Sequence, residues 1–137
     1  MLRRIAGVLM GMVASAVLVM IVQAVGSSLF PLPEGFDPMA PDPLRLPFAV
    51  VAVVAVAWSL GPLLGGLVST LVAGSSSPVP AFIVGILLLA ADVANLVAIP
   101  SPVWLWVVGV VAPLPFAWLG FAAALSIVRR RRVEDRS

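Results

Sequence analysis

Four long apolar runs constrain what this chain can fold into more than any other feature of its sequence. They extend from about Ile5 to Val25, Pro47 to Val72, Pro80 to Ile99 and Val103 to Val128. As a helix rising about 1.5 Å per residue, the first run covers about 30 Å, the thickness of the hydrocarbon core of a bilayer. We therefore predict an all-α integral membrane protein, a single transmembrane domain with four antiparallel helices.

The composition favours lipid over water as the solvent around these runs. Hydrophobic residues make up 62% of the 137-residue chain, and charged residues only 10%. A soluble domain of this length could not bury that much apolar surface. The net charge of +2 does not indicate nucleic acid binding, because the basic residues flank apolar runs near the ends of the chain.

Arginine is concentrated at the two ends of the sequence. Arg3 and Arg4 precede the first run, Arg129 to Arg132 follow the last, and Arg136 lies beyond them. Positive residues beside a span favour the cytoplasmic side, and four crossings return the chain to the side on which it began. We therefore predict a multi-pass membrane protein with both termini in the cytoplasm and a basic cytoplasmic tail over residues 129–137.

The basic tail has a second interpretation besides orientation. Four consecutive arginines close to a membrane can bind anionic lipid headgroups. They are Arg129, Arg130, Arg131 and Arg132. An orientation signal is the simpler of the two interpretations.

The first run also has an alternative interpretation, as a secretory signal peptide. Arg3 and Arg4 would form its basic start, and Val22-Gln23-Ala24 resembles a cleavage site. The apolar stretch is longer than the roughly 7–15 residues usual in such peptides, which favours a permanent membrane span.

The segments between the runs are rich in proline. Residues 27–46 are acidic and contain five prolines, which predicts an extended loop on the outer side of the membrane. Within it, Asp42-Pro43 has the cap and first-turn order expected at the start of the second helix. Pro100-Ser101-Pro102 leaves room only for a tight turn, and Trp104 and Trp106 after it are typical of an interfacial aromatic belt.

Small residues recur every four positions in the first two runs. Since lipid tails are as apolar as leucine, membrane helices associate through close backbone approach and polar contacts. We interpret these stripes as packing faces within the chain, and a seam between two copies, or with another membrane protein, is the alternative. The stripes are Gly7, Gly11 and Ser15 in the first run and Ala57, Gly61, Gly65 and Ser69 in the second.

Prolines inside the second and fourth runs predict kinks. Pro62 has no N–H to donate to the carbonyl of Trp58, and Pro113 leaves the carbonyl of Gly109 without its usual partner. A free carbonyl in hydrocarbon is costly, so we expect another group to satisfy it.

Asp92 is the one ionisable residue inside the four runs. Inserting it near mid-helix costs about 2.5–3.5 kcal/mol, so we predict that it faces the bundle interior. Asn95 lies on the same helical face, and Gln23 near the outer end of the first helix completes a predicted intramembrane polar site. We predict that Asp92 is protonated and donates a hydrogen bond to a carbonyl freed by Pro113.

The chain contains no cysteine and no histidine. The usual zinc, haem and thiol chemistries therefore lack their residues, and we predict no cofactor, no metal and no enzymatic activity. The favoured function is a non-enzymatic structural or interaction protein with lipid or protein partners, in which Asp92 and Asn95 only fasten helices. The alternative is a small proton- or cation-coupled transporter that uses Asp92.

Two segments resemble a known group of proteins. The first is Leu32 to Pro38 followed by Pro41-Asp42-Pro43, and the second is Ala94 to Trp106. Both resemble small bacterial four-helix integral membrane proteins of unknown function, along most of the chain. The resemblance implies the four-span topology and the bacterial inner membrane but no activity. Members of that group carry histidine where this chain has Ser101.

Overall fold

The computed structural model describes residues 1–37, 39 and 42–134 and is helical through most of that part. Four helical segments in it are long and apolar enough to cross a membrane, the last of them bent at Ala112. A 3-10 helix, Pro43–Arg45, precedes the second segment. The α-helices are α1 (Leu2–Leu29), α2 (Phe48–Ala73), α3 (Val79–Ala98), α4 (Val103–Val111) and α5 (Pro113–Glu134).

The helices run up and down in an antiparallel bundle around α2, which contacts the other four. Gly7 of α1 lies against Ala73 of α2, and Gly26 lies against Val53, so α1 and α2 are antiparallel. The last span runs parallel to α2, because Gly109 lies against Trp58 and Gly66 lies against Ala117. The start of α1 and the end of α5 therefore lie at the same end of the bundle.

The two ends of the bundle differ in charge. The basic end comprises residues 1–4, 74–78 and 129–134, and the proline-rich end comprises residues 30–37, 39, 42–47 and 99–102. Four arginines at the basic end are exposed, namely Arg3, Arg4, Arg129 and Arg130. The proline-rich end carries Glu34, Asp37, Asp42 and Arg45, of which the last two form a salt bridge at 3.1 Å.

The boundaries follow from local chemistry. Gly74 ends α2 in the left-handed region, at φ 60°, and its N–H donates to the carbonyls of Thr70 and Leu71. Proline in the first turn of α3 suits a helix start, since it has no N–H to leave unpaired. Pro62 lies inside α2, which continues through it.

Three predicted boundaries were wrong. The helix α1 continues to Leu29 instead of ending at Val25, because Ser27 and Ser28 donate to the carbonyl of Ala24 and fit the last turn. Asp42 accepts from the N–H of Leu44 at 3.2 Å and so caps the 3-10 helix, while α2 begins later, after Pro47.

The third correction concerns the C-terminal tail. The chain stays helical through Glu134, because arginine is a good helix former and nothing in Arg129–Glu134 breaks the helix. Residues 135–137, including Arg136, lie outside the described part, as do the side chains of Arg131 and Arg132.

Candidate functional site

The small residues of α1 and α2 form a close contact, which we call the α1–α2 seam. A Cβ added to Gly7 would lie 2.5 Å from the carbonyl oxygen of Ser69, and one added to Gly11 would lie 2.7 Å from that of Gly65. Ser15 donates from Oγ to the carbonyl of Gly61 at 2.8 Å. All seven predicted packing residues are buried, so the chain itself occupies both stripes.

Asp92 faces the bundle interior and is only 6% exposed. It shares a stripe of α3 with Gly85, which lies against Ala117 of α5, and with Leu96, which lies against Gly109 of α4. Because it falls between these two contacts along α3, its carboxyl group lies near the level of the bend at Ala112.

The predicted hydrogen bond from Asp92 to the last span is absent. Its Oδ2 is buried and has no hydrogen-bond partner in the described part of the chain. Leu96 and Trp58 pack against Gly109, the residue whose carbonyl Pro113 leaves free. A buried carboxyl oxygen without a partner is costly, so this position departs from ordinary core packing.

The other two predicted polar residues lie in a different place. Gln23 and Asn95 line a cavity of about 220 Å³ near the proline-rich end, which we call the amide cavity. Asp92 is not one of its lining residues, which are Gln23, Pro43, Leu46, Val50, Val51, Val54, Trp58, Asn95, Ile99, Ser101 and Leu105. The predicted three-residue site is thus divided in two.

Helix geometry explains the division. Three residues turn an α-helix through about 300°, so Asn95 is rotated by about 60° from Asp92 around α3. That rotation directs Asp92 toward α4 and α5 and directs Asn95 toward the cavity that Gln23 lines from α1.

The amides in this cavity have hydrogen-bonding capacity left over. Asn95 donates from Nδ2 to the carbonyl of Ala91 at 3.3 Å, and Gln23 makes no side-chain hydrogen bond to any described residue. The remaining lining is mainly aliphatic, with the indole of Trp58 and the hydroxyl of Ser101, which donates to the carbonyl of Ile99. The cavity can therefore receive an apolar group that carries a hydrogen-bonding function.

The sequence analysis did not identify Trp58 as a site residue. Trp58 lines the amide cavity and also covers Gly109, so it connects the cavity to the contact between α2 and α4. A lone tryptophan inside an otherwise aliphatic run was the available signal. Trp104 contacts Phe48 with ring centroids 5.2 Å apart and the ring planes tilted by 45°. Trp104 and Trp106 both pack beside the core cluster of Val51, Leu96 and Leu105.

The basic end carries a second cavity of about 260 Å³ between α1 and α3, which we call the basic groove. Arg4 is the charged residue of its lining, which consists of Arg4, Ile5, Val8, Leu9, Val79, Pro80 and Ile83. The neighbouring Arg3 does not line this groove. Its Nη2 would lie 3.1 Å from a Cβ added to Gly74, at the C-terminal end of α2.

No group of three or more metal-ligating side chains comes together in the described part of the chain. Comparisons with protein-family models, with curated proteins and with solved structures found no match to this chain. The resemblance to small bacterial four-helix membrane proteins therefore stays a prediction.

Proposed function

We propose that this chain is a non-enzymatic interaction protein of the bacterial inner membrane, with four spans and both termini in the cytoplasm. In this proposal a membrane-protein partner inserts a polar side chain into the amide cavity. The observation that carries it is the pair of exposed amides, Gln23 and Asn95, which keep hydrogen-bonding capacity beside the mainly apolar lining of the amide cavity. In hydrocarbon such capacity favours association with another helix.

The charge distribution supports the orientation. Both ends of the four-helix path lie at the basic end, which also carries the exposed Arg3, Arg4, Arg129 and Arg130. Arginine close to a span favours the cytoplasmic side. The proline-rich end would then face away from the cytoplasm.

Orientation can be tested by cysteine labelling, because the native sequence contains no cysteine. The single variants Glu34→Cys and Ser76→Cys place one exposed thiol at each end of the bundle. A membrane-impermeant maleimide should label Glu34→Cys in cells with a permeabilised outer membrane and Ser76→Cys only after the inner membrane is opened. The reverse pattern would overturn the orientation, and labelling of both thiols from outside would overturn the four-span topology.

Partner binding can be tested by photo-crosslinking in cells. A benzophenone amino acid at Leu46 would lie at the cavity lining, and one at the exposed Leu44 is the matched control from the same short segment. We expect a discrete crosslinked product from position 46 that disappears when Gln23→Leu and Asn95→Leu are added. A product that survives both substitutions, or arises equally from position 44, would contradict the proposal.

A small proton- or cation-coupled transporter is the second candidate, and one observation favours it. Asp92 holds a buried carboxyl oxygen without a partner in the described residues, near the bend of the last span. Membrane transporters place such groups on proton and cation pathways. Reconstituted protein would then show ion flux that Asp92→Asn abolishes, whereas equal flux with both proteins would end this candidate.

A further inference from the structure

The basic groove combines an apolar wall with one cation, Arg4. Ile5, Val8 and Leu9 of α1 form one side, and Val79, Pro80 and Ile83 of α3 form the other. Arg4 stands at the end of the groove where both helices begin. The groove therefore has a positive charge at its end and apolar side chains along its length. This arrangement matches an amphiphile whose anionic headgroup lies at the membrane surface.

Arg4 is available to such an anion. Arg4 is exposed, and its guanidinium makes no hydrogen bond or ion pair with any other described residue. The first turn of α3, at Val79 and Pro80, lines the same end of the groove, and the N-terminal end of a helix carries a partial positive charge. Both features favour a negatively charged group beside Arg4.

The other arginines at this end are placed differently. Arg3 lies against Gly74 at the C-terminal end of α2, where the helix dipole already favours a cation. Arg129 and Arg130 belong to α5 and are not part of the groove lining. Among the four arginines at this end whose side chains the structure describes, Arg4 alone lines the groove, and Arg3 provides a matched control.

We propose that the basic groove is a binding site for one anionic phospholipid of the surrounding bilayer. The phosphate of the headgroup pairs with the Arg4 guanidinium, and one acyl chain lies between α1 and α3 against Val8 and Ile83. The inference rests on the proposed membrane insertion and is independent of a partner at the amide cavity. The cytoplasmic leaflet, where the proposed orientation puts Arg4, is rich in anionic lipid.

Native mass spectrometry of the detergent-purified full chain can test this site. Phosphatidylglycerol and phosphatidylcholine with identical acyl chains are titrated separately, so that only the headgroup charge differs. We expect the first phosphatidylglycerol to bind more tightly than phosphatidylcholine. Arg4→Gln should weaken phosphatidylglycerol binding about fivefold, toward that of phosphatidylcholine, since one arginine near a membrane surface supplies roughly that factor. Arg3→Gln, which removes an arginine that lies against Gly74 and not in the groove, should leave the difference unchanged.

A second variant separates the acyl chain from the headgroup. Leu9→Trp would fill the groove from an exposed position and should weaken the binding of both lipids. Equal binding of both lipids by the native chain would overturn the site, as would an unchanged preference in Arg4→Gln or an equal loss in Arg3→Gln. The cysteine-labelling experiment distinguishes failure of this site from failure of the proposed membrane topology. If labelling still gives the four-span pattern but the preference for phosphatidylglycerol is absent, only the lipid site is overturned.

Discussion

The two halves of the α1–α2 seam are built differently. Toward the basic end, Gly7 and Gly11 bring the backbone of α1 against backbone carbonyls of α2. Toward the proline-rich end, Gly26 meets the side chain of Val53, and the amide cavity lies close by. A backbone carbonyl cannot move without its helix, whereas Gly26 lies in the last turn of α1, which can shift by itself. We therefore expect the seam to be rigid toward the basic end and more adaptable toward the proline-rich end, where the amide cavity lies.

The largest expected effect comes from adding a methyl group to the rigid half. In Gly11→Ala the new Cβ would lie 2.7 Å from the Gly65 carbonyl oxygen and 2.9 Å from Cβ of Ser69, so α1 must move. We expect a loss of about 3 kcal/mol in the free energy of unfolding, the upper part of the usual range for overpacking. This outweighs the roughly 1 kcal/mol that alanine gains over glycine in helix propensity.

Gly26→Ala is the matched variant in the adaptable half. Its new Cβ would clash with Cγ1 of Val53 and lie 2.8 Å from its Cγ2 and 3.0 Å from its Cβ, so a rotamer change of this β-branched side chain cannot relieve the contact. Gly26 lies in the last turn of α1, which can shift more easily than the middle of the helix, so we expect a smaller loss of about 1 kcal/mol. Unfolding by detergent titration in mixed micelles, followed by circular dichroism, measures both variants. Equal losses at the two glycines would show that the halves do not differ in rigidity.

The next effect contrasts two polar residues of α3. Asp92→Leu removes a buried carboxyl oxygen that has no partner among the described residues, so we expect the free energy of unfolding to rise by about 1–2 kcal/mol. Asn95→Leu changes an exposed residue with one long hydrogen bond, and it should alter stability by less than about 0.5 kcal/mol. The same detergent titration compares the two. Destabilisation by Asp92→Leu would mean that the carboxyl group has a partner that stabilises the fold.

The sequence predicted the features that depend on one helix alone. The length of each apolar run predicted four helical segments long and apolar enough to cross a membrane, and the four-residue spacing of Gly7, Gly11 and Ser15 predicted a face that the structure buries. Asp92 was expected to face inward because of its insertion cost, and it does. These conclusions need only helix geometry and transfer energies, which are properties of the segment itself.

Features that depend on how helices are rotated against each other were not predictable in the same way. Spacing put Asn95 beside Asp92, but the orientation of α3 directs them toward different neighbours. The same limitation applies to the role of Trp58, which depends on the packing of α2 against α4. Asp42 gives a local example of a pattern that fits two structures. An N-cap residue followed by proline can begin a 3-10 helix as well as an α-helix.

The smallest expected effect tests whether the rigid half also depends on a hydrogen bond between helices. The Ser15 hydroxyl has one proton, which it directs toward the carbonyls of Gly61, at 2.8 Å, and Gly11, at 2.9 Å. Ser69 is equally buried in the seam, but it donates only within its own helix, to Gly66. Ser15→Ala and Ser69→Ala therefore each remove one buried hydroxyl oxygen from the seam. Only Ser15→Ala also removes a hydrogen bond between α1 and α2.

We expect Ser15→Ala to lose about 0.6 kcal/mol more than Ser69→Ala, the average for hydrogen bonds between membrane helices. The difference is small because the hydroxyl proton of Ser15 has an acceptor in either state. When α1 separates from α2, the carbonyl of Gly11 can still receive it. Equal losses in the free energy of unfolding would mean that the hydrogen bond from Ser15 does not stabilise the rigid half, which would then depend on the backbone contacts at the glycines. A difference well above 1.7 kcal/mol, the largest such bond measured, would mean that Ser15 also holds Gly61 in place against α1.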